Sequence, residues 1–175
     1  EKAKKEILDK QMKVAKTKVR SIRNPAADFI DSLYWLTKKP TEPTMEAFYQ
    51  AVAEGAEFGF PSVAFKAAAV SAGFRTGVTK NKTIPNSAFH INGDMVRIYG
   101  TPEIREDMVR VGMGAADLRY RGEFKEWSVI LPIRFNMAVF THEQIINLFN
   151  LGGFACGIGE WRPERGGSFG MYHVV

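Results

Sequence analysis

Residues 151–172, LGGFACGIGEWRPERGGSFGMY, hold seven glycines in a run of 22, with Trp161, Arg162, Glu164, Arg165 and Phe169 among them. Glycine loses more conformational freedom on folding than any other residue. It is kept at such density where backbone takes positive φ or lies close to another group. The stretch follows an apolar helical pattern and precedes a last apolar run. It therefore reads as a loop that brings main chain close to something.

The 175 residues suit one domain, or one domain with an appended arm, and 45% hydrophobic residues suffice for a core. No apolar run approaches the ~18–20 residues that span a bilayer, so no membrane partner is expected. The chain opens at Glu1 rather than Met and closes on His173-Val174-Val175, so further chain is expected at both ends. The single cysteine, Cys156, leaves no internal disulfide and suits a reducing cytoplasm, that of a host if the protein is viral. With Phe154 and Ala155 as neighbours, Cys156 reads as a small buried hydrophobe.

Net charge is +5 and unevenly placed. Residues 1–23 hold nine Lys/Arg and three Asp/Glu, leaving 15 and 16 in the rest of the chain. A basic arm of this kind attracts polyanions such as nucleic acid. Ile7, Leu8, Met12, Ala15, Val19 and Ile22 recur near the helical period, so the arm reads as an amphipathic helix carrying Lys13, Lys16 and Arg20. Asn24-Pro25 reads as an N-cap followed by proline at the first helical position. The prolines of KKPTEPT mark a linker, dividing residues 1–40, arm and linker, from a core over 41–175.

In the core, GFPSVAFKAAAVSAGF is a helix pattern with Pro61 near its start and Gly73 at its stop, its alanines set for close packing on a sheet. SAFHINGDMVRIYG has two apolar runs about Asn92-Gly93-Asp94, a hairpin signal. DLRYRGEF and WSVILPIRF alternate as strands. In the second, Val129, Leu131, Ile133 and Phe135 share one face, opposite Ile130 and Arg134, and Pro132 implies an edge or a bulge. Thr141 with Gln144 forms a capping box, Gly152-Gly153 reads as a helix stop, and SFGMYHVV as a closing strand. The order strand, helix, strand hairpin, strand, helix, strand predicts an α+β fold. Its expected form is a ferredoxin-like (RRM-like) antiparallel sheet with helices on one face.

No phosphate loop, H-E-x-x-H or C-x-x-C motif is present, and no metal or cofactor is expected. GIGEWR follows a helix rather than a strand and lacks a third glycine at the dinucleotide spacing. His90, His142 and His173 are scattered, and no partner for acid–base work is legible from spacing. His142 reads as a surface residue in a first helical turn, His90 and His173 as residues of sheet faces.

What remains is basic and aromatic. The loop offers Gly157, Gly159, Trp161, Arg162, Arg165, Gly166, Gly167 and Phe169. The strands offer Arg119, Tyr120, Arg121, Lys125, Trp127 and Arg134. Aromatic faces stack on unpaired bases at about 1–3 kcal/mol each, arginines neutralise phosphates, and glycine backbone approaches a phosphodiester closely. Glu160 and Glu164 bring the loop's charge to zero. The competing reading has Trp161 and the phenylalanines anchoring the loop on the core, with Arg–Glu pairs at its surface.

The run EQIINLFNLGGFACGIGEWRPERGGSFGMYHV resembles the C-terminal glycine-rich loop of the RAMP superfamily, the RNA-recognition-motif-like proteins that build the backbones of CRISPR effector complexes. That family usually carries a Ser-Arg-Gly-aromatic-Gly core. Here Gly157 and Gly159 match its first glycines and Gly167-Ser168-Phe169-Gly170 its end, while the arginine comes earlier, at Arg162 or Arg165. More loosely, GFPSVAFKAAAVSAG, RYRGEFKEWSVIL and GIGEWRPERGGSFG together look like a group of proteins encoded by bacteriophages and mobile elements. The resemblance implies a ferredoxin-like core that binds single-stranded RNA or DNA and self-associates along it as a filament.

The expected function is thus non-catalytic single-strand binding by a homo-oligomer of phage or mobile-element origin. Two alternatives stand beside it. One is a decoy that occupies a RAMP subunit's place in a host complex, with no nucleic acid of its own. The other is a metal-independent endoribonuclease using a histidine such as His90.

Overall fold

A computed structural model describes residues 23–111 and 115–175. The arm, with Lys13, Lys16 and Arg20, lies outside the described residues. Helix α1 (Pro25–Ser32) starts as expected: the Asn24 side chain accepts from the backbone N–H of Ala26 and Ala27, with Pro25 in the first turn. A second helix that patterning did not single out, α2 (Met45–Ala53), is capped by Thr44. Phe29 and Ile30 of α1 pack with Phe48 of α2 and Phe58, so one apolar cluster joins residues on both sides of the Pro40–Pro43 stretch.

Strand β1 (Phe58–Pro61) leads directly into helix α3 (Ser62–Arg75). The helix runs through Gly73, and the left-handed turn residue is Gly77 at φ +75°. Helix α4 (Thr83–Ala88) and strands β2 (Phe89–Ile91) and β3 (Met95–Tyr99) follow. Next come β4 (Glu103–Val111), β5 (Ala115–Glu123), β6 (Ser128–Val129), β7 (Ile133–Phe135) and helix α5 (His142–Leu151). The capping box of Thr141 and Gln144 is present at the start of α5.

The architecture is mixed α and β with antiparallel strands. The ladders draw three small sheets, β1-β3-β6, β2-β7 and β4-β5, rather than one continuous sheet. Two local causes separate the first two. The turn expected to close a hairpin serves the start of α3 instead: Ser62 Oγ donates to Gly93 O at 2.5 Å and Ser62 N to Asp94 O at 2.9 Å. Strand β2 therefore pairs with β7, and β3 with β1 and β6, not with each other. Pro132 has no N–H to donate, so the expected strand over 127–135 is split into β6 and β7. Its carbonyl still accepts from Asn92 N at 2.9 Å. The alternation survives the break. Val129, Leu131, Ile133 and Phe135 all pack on the main core, while Ile130 and Arg134 are exposed.

That core gathers Phe65, Ala69 and Val70 of α3, Phe89 of β2, Val96 and Ile98 of β3, Ile145, Leu148 and Phe149 of α5, and Ile158. Two further alanines of α3 meet a helical turn rather than a sheet: Ala68 and Ala72 cluster with buried Cys156. Burial pushes the Cys156 thiol above its ordinary pKa, as suits a packing residue.

Two expectations near the carboxyl end are corrected. Gly152-Gly153 does not stop the helix, which continues as a π turn over Gly152–Cys156 and ends at Gly157, φ +65°. Their lack of a Cβ serves contact, since an ideal Cβ on Gly152 would lie 2.8 Å from Ala69 N. SFGMYHVV does not form a strand. Its hydrogen bonds go to the loop and helix instead: Ile158 N donates to Gly170 O at 2.9 Å and Val174 N to Asn150 Oδ1 at 2.7 Å. Among the described residues no helix is long and apolar enough to cross a membrane.

Candidate nucleic-acid interface

Main chain in the glycine loop approaches its own backbone. Phe169 N donates to Trp161 O at 3.0 Å and Gly167 N to Arg162 O at 3.1 Å, closing the loop across its width. An ideal Cβ would lie 1.8 Å from Trp161 O at Gly167, and 1.9 Å from Ile158 O at Gly170. Gly157, Gly159 and Gly166 take positive φ, and Pro163–Arg165 forms one 3-10 turn between them. The glycines build a braced hairpin rather than a supple strap.

The bracing leaves aromatic groups outside. Trp161 is the one non-glycine residue with positive φ, +54°, among the described residues, and its side chain is 52% exposed. Bulky residues adopt that region at a cost of roughly 1–2 kcal/mol. The loop's backbone hydrogen bonds hold this half-exposed indole in place. Phe169 is 48% exposed, and the guanidinium of Arg105 lies 5.0 Å from its ring centroid. Arg105 comes from β4, which patterning did not single out. The signal was there: EIREDMVRV and AADLRYRGE flank Gly112-Met113-Gly114 with alternating, complementary charges.

The cations divide sharply. Arg162 makes a two-pronged contact with Glu164 Oε2, at 3.1 Å from Nε and 2.9 Å from Nη2, and also donates to Gly159 O at 2.9 Å. Glu164 also receives Arg75 at 2.7 Å. The hydrogen bonds from Arg162 hold the Glu164 carboxyl below its ordinary range, against the opposing effect of burial. Arg121 pairs with Asp107 and with Glu160, tying β5 to the loop, and Arg105 pairs with Asp107 and Glu123. Lys125 is held by Glu103 at 2.6 Å and Arg119 lies 3.6 Å from Asp117. The hydrogen bond between Tyr120 and Glu106 raises the phenol above its ordinary pKa. Trp127 is part of the core, its ring packed against Phe65 and Tyr172.

Arg165 and Arg134 differ from these. Neither makes an ion pair among the described residues, and both are exposed. Arg134 stands opposite His90 in the β2–β7 register, and Lys66 Nζ lies 3.3 Å from His90 Nδ1 and 2.7 Å from Asn86 O. Burial lowers the Lys66 pKa. No carboxylate contacts this trio among the described residues. His142 is exposed beside Phe135, and His173 is exposed in the terminal segment rather than in a strand.

The structure therefore gathers Trp161, Arg165 and Phe169 on one braced loop, while Arg162, Arg121 and Lys125 are held by acids and Trp127 by the core. Comparison with family models, with curated proteins and with solved structures finds no match to this chain.

Proposed function

We propose that the chain binds single-stranded nucleic acid without catalysing a reaction, with its C-terminal loop as the contact. The half-exposed Trp161 indole, kept at positive φ by a loop closed with backbone hydrogen bonds, carries this reading. A stacking platform needs an aromatic face that is both accessible and already fixed, so that little entropy is lost when a base arrives. Phe169 supplies a second face, and Arg165 a cation that no acid pairs with among the described residues. Arg134, near His90 and Lys66, adds positive charge elsewhere on the surface.

Kinship with the RAMP proteins, a ferredoxin-like ancestry, side-by-side assembly and a phage or mobile-element source belong to the same proposal. They rest on the run from Glu143 to Val174. The test is titration with oligothymidylate and oligouridylate, followed by tryptophan emission. Quenching that vanishes in Trp161→Phe, with Trp35 and Trp127 left in place, supports the reading. An unquenched Trp161, together with a protein that elutes free of nucleic acid, overturns it and favours the decoy alternative.

A further inference from the structure

Strands β4 and β5 form a two-stranded ribbon whose faces are occupied differently. One face carries Arg105, Asp107, Arg121 and Glu123 beneath the loop. The other carries the register partners Ile104 and Gly122, Glu106 and Tyr120, and Met108 and Leu118. Helix α1 covers this second face at Gly122, where Ser32 Oγ accepts from Gly122 N at 2.8 Å. An ideal Cβ on Gly122 would meet Leu33 at 2.3 Å. Farther along the ribbon the cover ends: Met108 is 76% exposed and Leu118, directly opposite, 44%. An isolated pair of strands is marginal in water unless an apolar face finds a partner.

The chain preceding α1 arrives at this place. Arg23 and Asp28 of α1 both act electrostatically on Tyr120, which shares the bare face with Leu118, while the Arg23 guanidinium pairs at 2.8 Å with Asp117 on the opposite, charged face. Arg23, the first described residue, therefore stands at the edge of the bare face. In residues 1–22, Leu8, Met12, Ala15, Val19 and Ile22 recur at alternating steps of four and three, one stripe of a helix. At 1.5 Å per residue that stripe is about 21 Å long. Past the part that α1 covers, β4 from Glu106 to Arg110 is about 14 Å long at 3.4 Å per residue, so the stripe is long enough to span it.

We propose that residues 1–22 pack this apolar stripe on the Met108–Leu118 face of their own chain's ribbon, leaving the lysines outward as a basic rim. The docking does not depend on the nucleic-acid reading.

Hydrogen exchange and trypsin cleavage of the full chain test it, with light scattering for the mass. Amides of residues 7–22 are expected to exchange at least about tenfold more slowly than free chain. Met108→Asp with Leu118→Asp is expected to abolish that protection and speed cleavage at Lys10, Lys13 and Lys16 by about tenfold or more, leaving amides around Phe65 and Phe149 protected. Met12→Asp with Val19→Asp, placed on the segment itself, is expected to do the same without touching the ribbon. Free-chain exchange in the unaltered protein overturns the proposal, as does protection indifferent to both pairs. Protection lost on dilution from a two-chain mass also overturns it, seating a second copy's segment on the face.

Discussion

The guanidinium of Arg105 lies 5.0 Å from the centroid of the Phe169 ring, so β4 touches the glycine loop through an arginine that is also bound to Asp107 and Glu123. The contact links the charged face of the ribbon to the proposed stacking surface. Phe169→Leu keeps apolar bulk and removes the ring face. It is expected to cost about 0.5–1 kcal/mol of stability in urea denaturation, the range for exposed cation–π pairs. Single-strand affinity should fall as well, and a variant with unchanged affinity would remove Phe169 from the interface.

Gly170 and Gly159 both take positive φ, at +64° and +76°, but differ in what surrounds them. Nothing lies within 4 Å of a Cβ placed on Gly159, whereas one on Gly170 meets Ile158 O at 1.9 Å. Gly159→Ala should cost about 1 kcal/mol, the backbone strain alone. Gly170→Ala adds a clash with main chain and should cost roughly 3 kcal/mol or more. Denaturation midpoints check the order, and equal costs would contradict the closed hairpin.

Trp161→Gly should separate stability from function. Glycine relieves the strain at φ +54°, so the melting temperature should hold or rise, by up to about 1 kcal/mol in stability. Affinity for an unpaired strand should drop by the about 1–3 kcal/mol that one stacked base contributes. Thermal melts and a binding titration on the same sample decide it. Loss of both properties would make Trp161 an anchor of the loop.

Glu164 gives a pH dependence of definite sign. Its folded pKa lies below the ordinary glutamate value of 4.5, chiefly through hydrogen bonds from Arg162. Its contribution is therefore present above that value and lost as pH falls through the folded pKa. Glu164→Gln should lower stability at neutral pH by about 0.5–1 kcal/mol, and the gap should close as the solution is acidified below 4.5. Binding should move the other way, since Arg162 and Arg75 lose their acid and the salt dependence steepens. A variant that binds more weakly would place Glu164 in the contact.

Arg165→Ala should flatten the salt dependence of binding by about one unit in log–log slope, while Arg162→Ala should change it less. Affinities measured across a salt series distinguish the two. Equal slopes for both variants would show that the Arg162–Glu164 pair opens on binding.

The C-terminal loop was legible as a glycine-dense segment, but the object of its close approach was not. Gly170 faces Ile158 and Gly153 faces Tyr172, and nothing in a glycine's neighbours along the chain names the carbonyl it will lie against. The same holds for the cations. Arg162 and Arg165 look alike in sequence, yet the two-pronged contact with Glu164 belongs to the first alone. Arg75, 89 positions away, completes that cluster. Strand β4 stayed hidden because charges dominate its sequence, while the hydrophobic signal on which strand patterning relies was weak.

Features set within a turn or two of the chain were readable in advance. The cap at Asn24, the box at Thr141 and Gln144, the helix through the alanines and the inward face of Val129 to Phe135 all follow from nearest-neighbour sterics and period. Strand partnership and the neutralisation of arginines lay beyond such reading. They depend on segments tens of residues apart, and small energetic differences decide among them: where a proline breaks a ladder, where Ser62 claims the Gly93–Asp94 turn, and which acid reaches a guanidinium first.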